Sequence, residues 1–256
     1  MQNRVRSSVF NGRFDKLHSS MDSCLASRTS YLENQVCLFG PERYEPRYAY
    51  PLIVWLHSCG SAEQELASVM PSLSLQNYTS CAPRGTVACQ EGSGLFRWGS
   101  SSASTAIAEE VVFDAIEIAN REFSVAPDRI FLAGFGGGGT MAWRLGLRYP
   151  KTFAGVVSIC GGFPLEQCPL SNYASARDLP TLWLYGAESR KCGIQQVCEA
   201  LPVLHSASLS VDIRQYPCHD ELLTNMLSDV NGWMMERVTN QPSITEPSEE
   251  VSFSRN

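Results

Sequence analysis

Short, nearly continuous apolar runs alternate along this chain with longer stretches in which apolar and charged residues share a helical period. PLIVWLH (51–57), YTSCAP (78–83), RIFLAGF (129–135), FAGVVSIC (153–160), TLWLYGA (181–187) and VDIRQYP (211–217) predict strands. The most continuously apolar of them belong at the centre of a sheet, where both faces are covered. STAIAEEVVFDAIEIANREF (104–123) predicts a helix with Ile107, Val111, Ala115 and Ile118 on its packed face. Glu109, Glu110, Asp114, Glu117 and Arg121 lie largely elsewhere. TMAWRLGLRYP (140–150), QQVCEALPVLHSA (195–207, kinked at Pro202) and ELLTNMLSDVNGWMMERV (221–238) predict three more helices.

Strands alternating with helices build an α/β fold: a mostly parallel sheet of about eight strands with helices on both faces. The periodic region runs from 35 to 238 without an internal repeat or a linker, which predicts one domain. Residues 1–34 are polar and serine-rich, and 239–256 are polar, acidic and proline-containing, so both ends are expected to be loosely ordered.

Composition narrows the function more than the fold. The 256 residues are 44% hydrophobic and 18% charged, and no apolar run approaches the roughly 20 residues of a membrane span. The start, MQNRVRSSVFNGRF, lacks the apolar stretch of a secretory leader, so a cytoplasmic location is the expectation. A net charge of −6 without a basic, aromatic-interleaved stripe argues against nucleic acid. Ten cysteines are scattered with no CxxC pair, which predicts reduced thiols used mostly as small buried groups, with neither metal nor cofactor.

The densest chemical signal is FLAGFGGGGTMAW (131–143), four consecutive glycines between a predicted strand and a predicted helix. Gly134, Gly136 and Gly139 satisfy the dinucleotide pattern G-x-G-x-x-G, but no acidic residue follows the next strand, FAGVVSIC, to hold a ribose hydroxyl. The same residues fit the nucleophile elbow G-x-S-x-G, with Gly136 where the serine belongs. A tight connection without any site is the third reading.

From about Val36 to Val238 the chain resembles the phospholipase/carboxylesterase/thioesterase group of α/β-hydrolases. The residues that carry the resemblance are PLIVWLHSCGS, the APRGT turn, PDRIFLAGFGGGGTMAWRLGLRYP, GGFP after FAGVVSIC, TLWLYGAESR and RQYPCHDEL. The resemblance places the nucleophile position on Gly136, the acid position on Ser189 and the histidine position on Asp220, so each carries the wrong residue. Glu188 and His219 stand one residue away and could replace two of the three after a loop shift. It also implies an oxyanion-hole remnant of Gly137 with Ser58 or Cys59, and a cleft with Trp98 and with His57, whose hydrogen bond would hold the oxyanion loop. Residues 91–104, rich in glycine and serine, would form a lip.

Two functions follow from these residues. One is a degenerate esterase relative that keeps a cleft for a small ester, acyl or carboxylate ligand, or for a protein partner. The other is an active carboxylic-ester or thioester hydrolase that uses His219 with a relocated nucleophile, for which Ser58, Cys59, Ser158 and Cys160 are the candidates.

Overall fold

The computed structural model describes residues 29–32, 35–165 and 173–240. The strands are β1 (Thr29–Leu32), β2 (Val36–Phe39), β3 (Tyr50–Leu56), β4 (Thr79–Pro83), β5 (Val87–Ala88), β6 (Phe96–Arg97), β7 (Val125–Phe135), β8 (Gly155–Ile159), β9 (Thr181–Gly186) and β10 (Val211–Tyr216). Between them run α1 (Glu65–Leu73), α2 (Ser102–Glu122), α3 (Gly137–Arg148), α4 (Tyr173–Ala176), α5 (Ile194–Ser206) and α6 (Thr224–Asn240). Eight strands form one sheet in the order β1-β2-β4-β3-β7-β8-β9-β10, and β5 pairs with β6 in a separate hairpin. Strands β4 to β10 of that order are parallel, while β1 and β2 join antiparallel at one edge.

Every residue of β3 is buried, and its alternation sorts the core into two layers. Ile53 and Trp55 share a cluster with Leu66, Val69 and Met70 of α1 and with Met226, Leu227, Val230 and Trp233 of α6. Leu52, Val54 and Leu56 share the other with α2 and with Met141, Ala142 and Leu145 of α3. A third cluster joins Trp143 and Leu147 of α3 to Val197, Ala200 and Leu204 of α5 around Trp183. The carboxyl ends of β3, β7, β8, β9 and β10 therefore open onto one edge, where ligands sit in sheets of this class.

All six predicted strands and four predicted helices are present, with three corrections. The face of α2 is rotated: Ile107 is 52% exposed, and the buried positions are Ala108, Val112, Ala115, Ile116, Ile118 and Ala119. Its apolar residues admit two helical phases, and the phase that places three alanines against the sheet lets the backbones approach closely. The sheet also begins within the stretch expected to be loose, since Thr29–Leu32 pairs with Val36–Phe39. The last helix runs past 238 to Asn240. The rest of both expected loose ends lies outside the described residues. Helix α1, with Pro71 inside it, had no sequence prediction. Among the described residues no helix is long and apolar enough to cross a membrane.

Candidate active site

Strand β7 ends at Phe135 and α3 starts at Gly137, so the chain reverses on Gly136 alone. Its φ of 55° and ψ of −118° lie where side-chain-bearing residues store strain. The Gly136 N–H donates to the Ile159 carbonyl at 2.8 Å, which ties the bend to the end of β8. The neighbouring glycines answer to a different constraint. A β-carbon on Gly138 would stand 1.9 Å from the Leu56 carbonyl oxygen, and one on Gly134 would stand 2.5 Å from the Gly138 carbonyl carbon. A β-carbon on Gly136 would meet nothing nearer than Ser58 Cβ at 4.0 Å. Packing forces glycine at the flanks, whereas the centre has room for a side chain.

The loop after β3 is held from below by a buried carboxylate. Glu65, 4% exposed, accepts from Trp55 Nε1 at 2.9 Å, from the Ser58 N–H at 3.1 and 3.2 Å, and from the Ser58 hydroxyl at 2.7 Å. The Ser58 N–H is thus spent, so Ser58 does not serve in the expected oxyanion-hole remnant. Nor is its hydroxyl a simple turn hydroxyl bonded to backbone. The N–H groups of Cys59 and Gly137 have no carbonyl partner among the turns and loops described. They belong to neighbouring residues: a β-carbon on Gly137 would lie 3.8 Å from Cys59 Cβ. Together with the start of α3 they suit an acceptor oxygen.

His57 holds the oxyanion-side loop by hydrogen bonds, the role expected of it, and both it and Trp98 are buried. Gly85 N–H donates to His57 Nε2 at 2.8 Å, so Nδ1 carries the proton and donates to the Ser58 carbonyl at 2.8 Å. Burial holds the imidazole below its usual pKa, which suits a neutral strut. Trp98 Nε1 donates to the His57 carbonyl at 3.0 Å. A buried Glu63, paired with Arg84, completes this support.

At the same edge of the sheet, the loops after β9 and β10 are laced together. Ala187 N–H donates to the Tyr216 carbonyl at 2.8 Å and Glu188 N–H to that of Cys218 at 3.0 Å. A β-carbon on Gly186 would be 2.2 Å from the His219 carbonyl oxygen. The side chains at the acid and histidine positions meet: the Ser189 hydroxyl donates to Asp220 Oδ1 and accepts from the Cys192 N–H at 2.8 Å. The two residues one step away meet each other too. His219 Nε2 lies 3.0 Å from Glu188 Oε2, and Nδ1 lies 2.9 Å from the Glu188 carbonyl oxygen. With side-chain exposures of 65% and 60%, this pair faces solvent.

None of the four candidate replacement nucleophiles hydrogen-bonds to His219. Ser58 donates to Glu65, and the fully buried Ser158 donates to the Gly161 carbonyl at 3.0 Å. Cys160 is buried, and desolvation pushes its thiol up to about 12, far from a thiolate at neutral pH. Cys59, expected as a small apolar filler, is exposed. Among the described residues no group of three or more His, Cys, Asp or Glu could hold a metal. The site residues that the sequence did not reveal are Glu65 and Gly85; an acidic residue at the start of an amphipathic helix reads as surface until its indole and amide donors are located.

The family model for phospholipases and carboxylesterases matches residues 47–235. Carboxylesterase SOBER1 of Arabidopsis thaliana is 25% identical over 214 residues, which cover 76% of this chain and 94% of that protein. A probable carboxylesterase of Oryza sativa subsp. japonica is 25% identical over 219 residues, covering 78% and 93%. Among solved structures, a carboxylesterase from Mesorhizobium loti superposes with a TM-score of 0.65 at 21% identity, over 81% of this chain and 99% of its own. That of Arabidopsis thaliana SOBER1 superposes with a TM-score of 0.60 at 22% identity, over 74% and 100%.

Proposed function

The chain belongs to the phospholipase/carboxylesterase family and has its α/β-hydrolase fold, and from that premise we propose that it is a catalytically degenerate member whose cleft binds without cleaving. Gly136 carries the reading, because the elbow is complete in backbone and steric terms and bears no nucleophile. Losing the nucleophile of a Ser-His-Asp hydrolase costs on the order of a millionfold in turnover, and losing the other two members adds little. The remaining cleft offers the Cys59 and Gly137 N–H groups to an acceptor oxygen, so its ligand is a small ester, an acyl group or a carboxylate.

The alternative, hydrolysis by His219 with a moved nucleophile, finds no support in these side chains. Both ring nitrogens of His219 face Glu188 rather than a hydroxyl or thiol. Family membership also leaves the dinucleotide reading of the glycine run without a basis.

The test is to put the three reagents back. The Gly136→Ser variant alone should leave p-nitrophenyl acetate hydrolysis at background, because Asp220 and Ser189 provide neither base nor acid. Combining it with Ser189→Asp and Asp220→His should raise turnover by at least about a thousandfold over the single variant, given what a complete triad is worth. Wild-type turnover equal to that of a folded triple variant would overturn the reading.

A further inference from the structure

Strand β10 is last in the sheet order, so its outer edge has no strand beside it among the described residues. Which backbone groups that edge presents follows from the inner one. Thr181 N–H donates to the Ser210 carbonyl at 2.9 Å and Ala187 N–H to the Tyr216 carbonyl at 2.8 Å, which commits the even-numbered positions of β10 to β9. Successive residues of a strand bond to opposite sides, so the N–H and carbonyl groups of Val211, Ile213 and Gln215 point outward. The side chains alternate as well. Val211 and Ile213 pack on the layer of α5, whereas Asp212 and Arg214 face α6. Asp212 Oδ2 accepts from Trp233 Nε1 at 2.6 Å and from Arg237 Nη2 at 3.1 Å, and Arg214 Nη1 lies 3.7 Å from Asp229 Oδ2. Both charged side chains remain reachable, with exposures of 54% for Asp212 and 40% for Arg214.

We propose that this edge pairs antiparallel with β10 of a second copy of the chain, about a twofold axis at Ile213. Ile213 then faces its own counterpart, and the outward groups of residues 211, 213 and 215 exchange about six hydrogen bonds across the two copies. Asp212 falls opposite Arg214 of the second copy, and Arg214 opposite its Asp212. Both are pairs of the closer, non-hydrogen-bonded kind, where opposite charges attract most.

The charge order selects the register. Moving the axis one residue toward either end would set Asp212 against Asp212 or Arg214 against Arg214, and like charges directly opposite are destabilising. An edge guarded against such pairing carries lysine, proline or a bulge. Residues 211–216 contain none of these, and Pro217 follows only where the strand ends. Because the two copies run in opposite directions, their clefts open at opposite ends of the joined sheet. The pairing therefore holds whether the cleft binds or cleaves.

Sedimentation velocity of the full-length protein from about 1 to 200 µM should show a reversible monomer–dimer equilibrium. Arg214→Asp and Asp212→Arg should each raise the dimer Kd at least about tenfold, and mixing the two variants should restore association, since each then meets the opposite charge. Ile213→Pro removes an outward N–H and no bond to β9, so it should abolish the dimer while leaving the far-UV spectrum unchanged. Residue-resolved amide exchange should protect Val211, Ile213 and Gln215 only at high concentration, and Asp212, Arg214 and Tyr216 at every concentration. A monomer throughout, a dimer indifferent to Arg214→Asp and Ile213→Pro, a mixture of the two folded charge variants that stays monomeric, or protection of the three outward amides in the monomer would each overturn the proposal.

Discussion

The bend at Gly134–Gly138 and the paired loops at Ser189 and Asp220 sit on the same edge of the sheet but obey different constraints. At the bend, two glycines are fixed by backbone atoms 1.9 and 2.5 Å from where a β-carbon would be, so any change threatens the fold itself. At the loops, side chains at the two positions still meet, but as a hydroxyl donating to a carboxylate. Packing constrains the first region to glycine, while no comparable steric constraint fixes the side chains at Ser189 and Asp220. On the proposed reading, such a site can lose its chemistry while keeping its architecture, because folding maintains the architecture.

The largest test of this contrast compares glycines two positions apart from the centre of the bend. Gly138→Ala should destabilise by more than about 4 kcal/mol or abolish folding, since its β-carbon meets the Leu56 carbonyl. Gly136→Ala should cost only about 1–3 kcal/mol, the strain of its positive φ, because the space above it is open. Urea unfolding of both variants checks the order, and equal losses would break the distinction between flank and centre.

Glu65 comes next. Glu65→Ala leaves the buried Trp55 Nε1 and both half-buried Ser58 donors without their acceptor, and should cost about 2–4 kcal/mol in the same assay. Glu65→Gln, which retains an oxygen, should cost less.

The smallest effect is a pH slope. Burial lowers the folded pKa of His57 below its usual 6.5, so as the pH falls below that value the unfolded chain binds a proton that the folded chain refuses. The stability contributed by neutral His57 is complete above about pH 6.5 and declines as the pH falls from there through the folded pKa, at up to about 1.4 kcal/mol per pH unit. His57→Gln, although less stable throughout, should show a flatter slope between about pH 6.5 and 5.5.

How much of this could be read in the sequence differs between the same two regions. The strands of the central sheet were legible because burial on both faces leaves continuous apolar runs such as LIVWL and IFLAGF. The bend was legible because steric demand writes itself as glycine. The face of α2 is not legible in the sequence, because alanines are weak markers of burial until the partner surface is known. The supporting role of His57 was legible from its place at the end of a buried strand, whereas the polar atoms of Ser58 and Trp98 are directed into the scaffold in ways their positions do not announce. The partners of Ser58 and His57, Glu65 and Gly85, are 7 and 28 residues away in the chain, and nothing in the local sequence couples them.

Catalytic degeneracy requires that the wild-type chain contain no activated nucleophile. Incubating the folded protein with a fluorophosphonate and a thiol-directed acylating probe, followed by intact-mass analysis over time, should show no adduct faster than that of the unfolded chain. Stoichiometric capture of one serine or cysteine at an enzyme-like rate, abolished in His219→Gln, would contradict it.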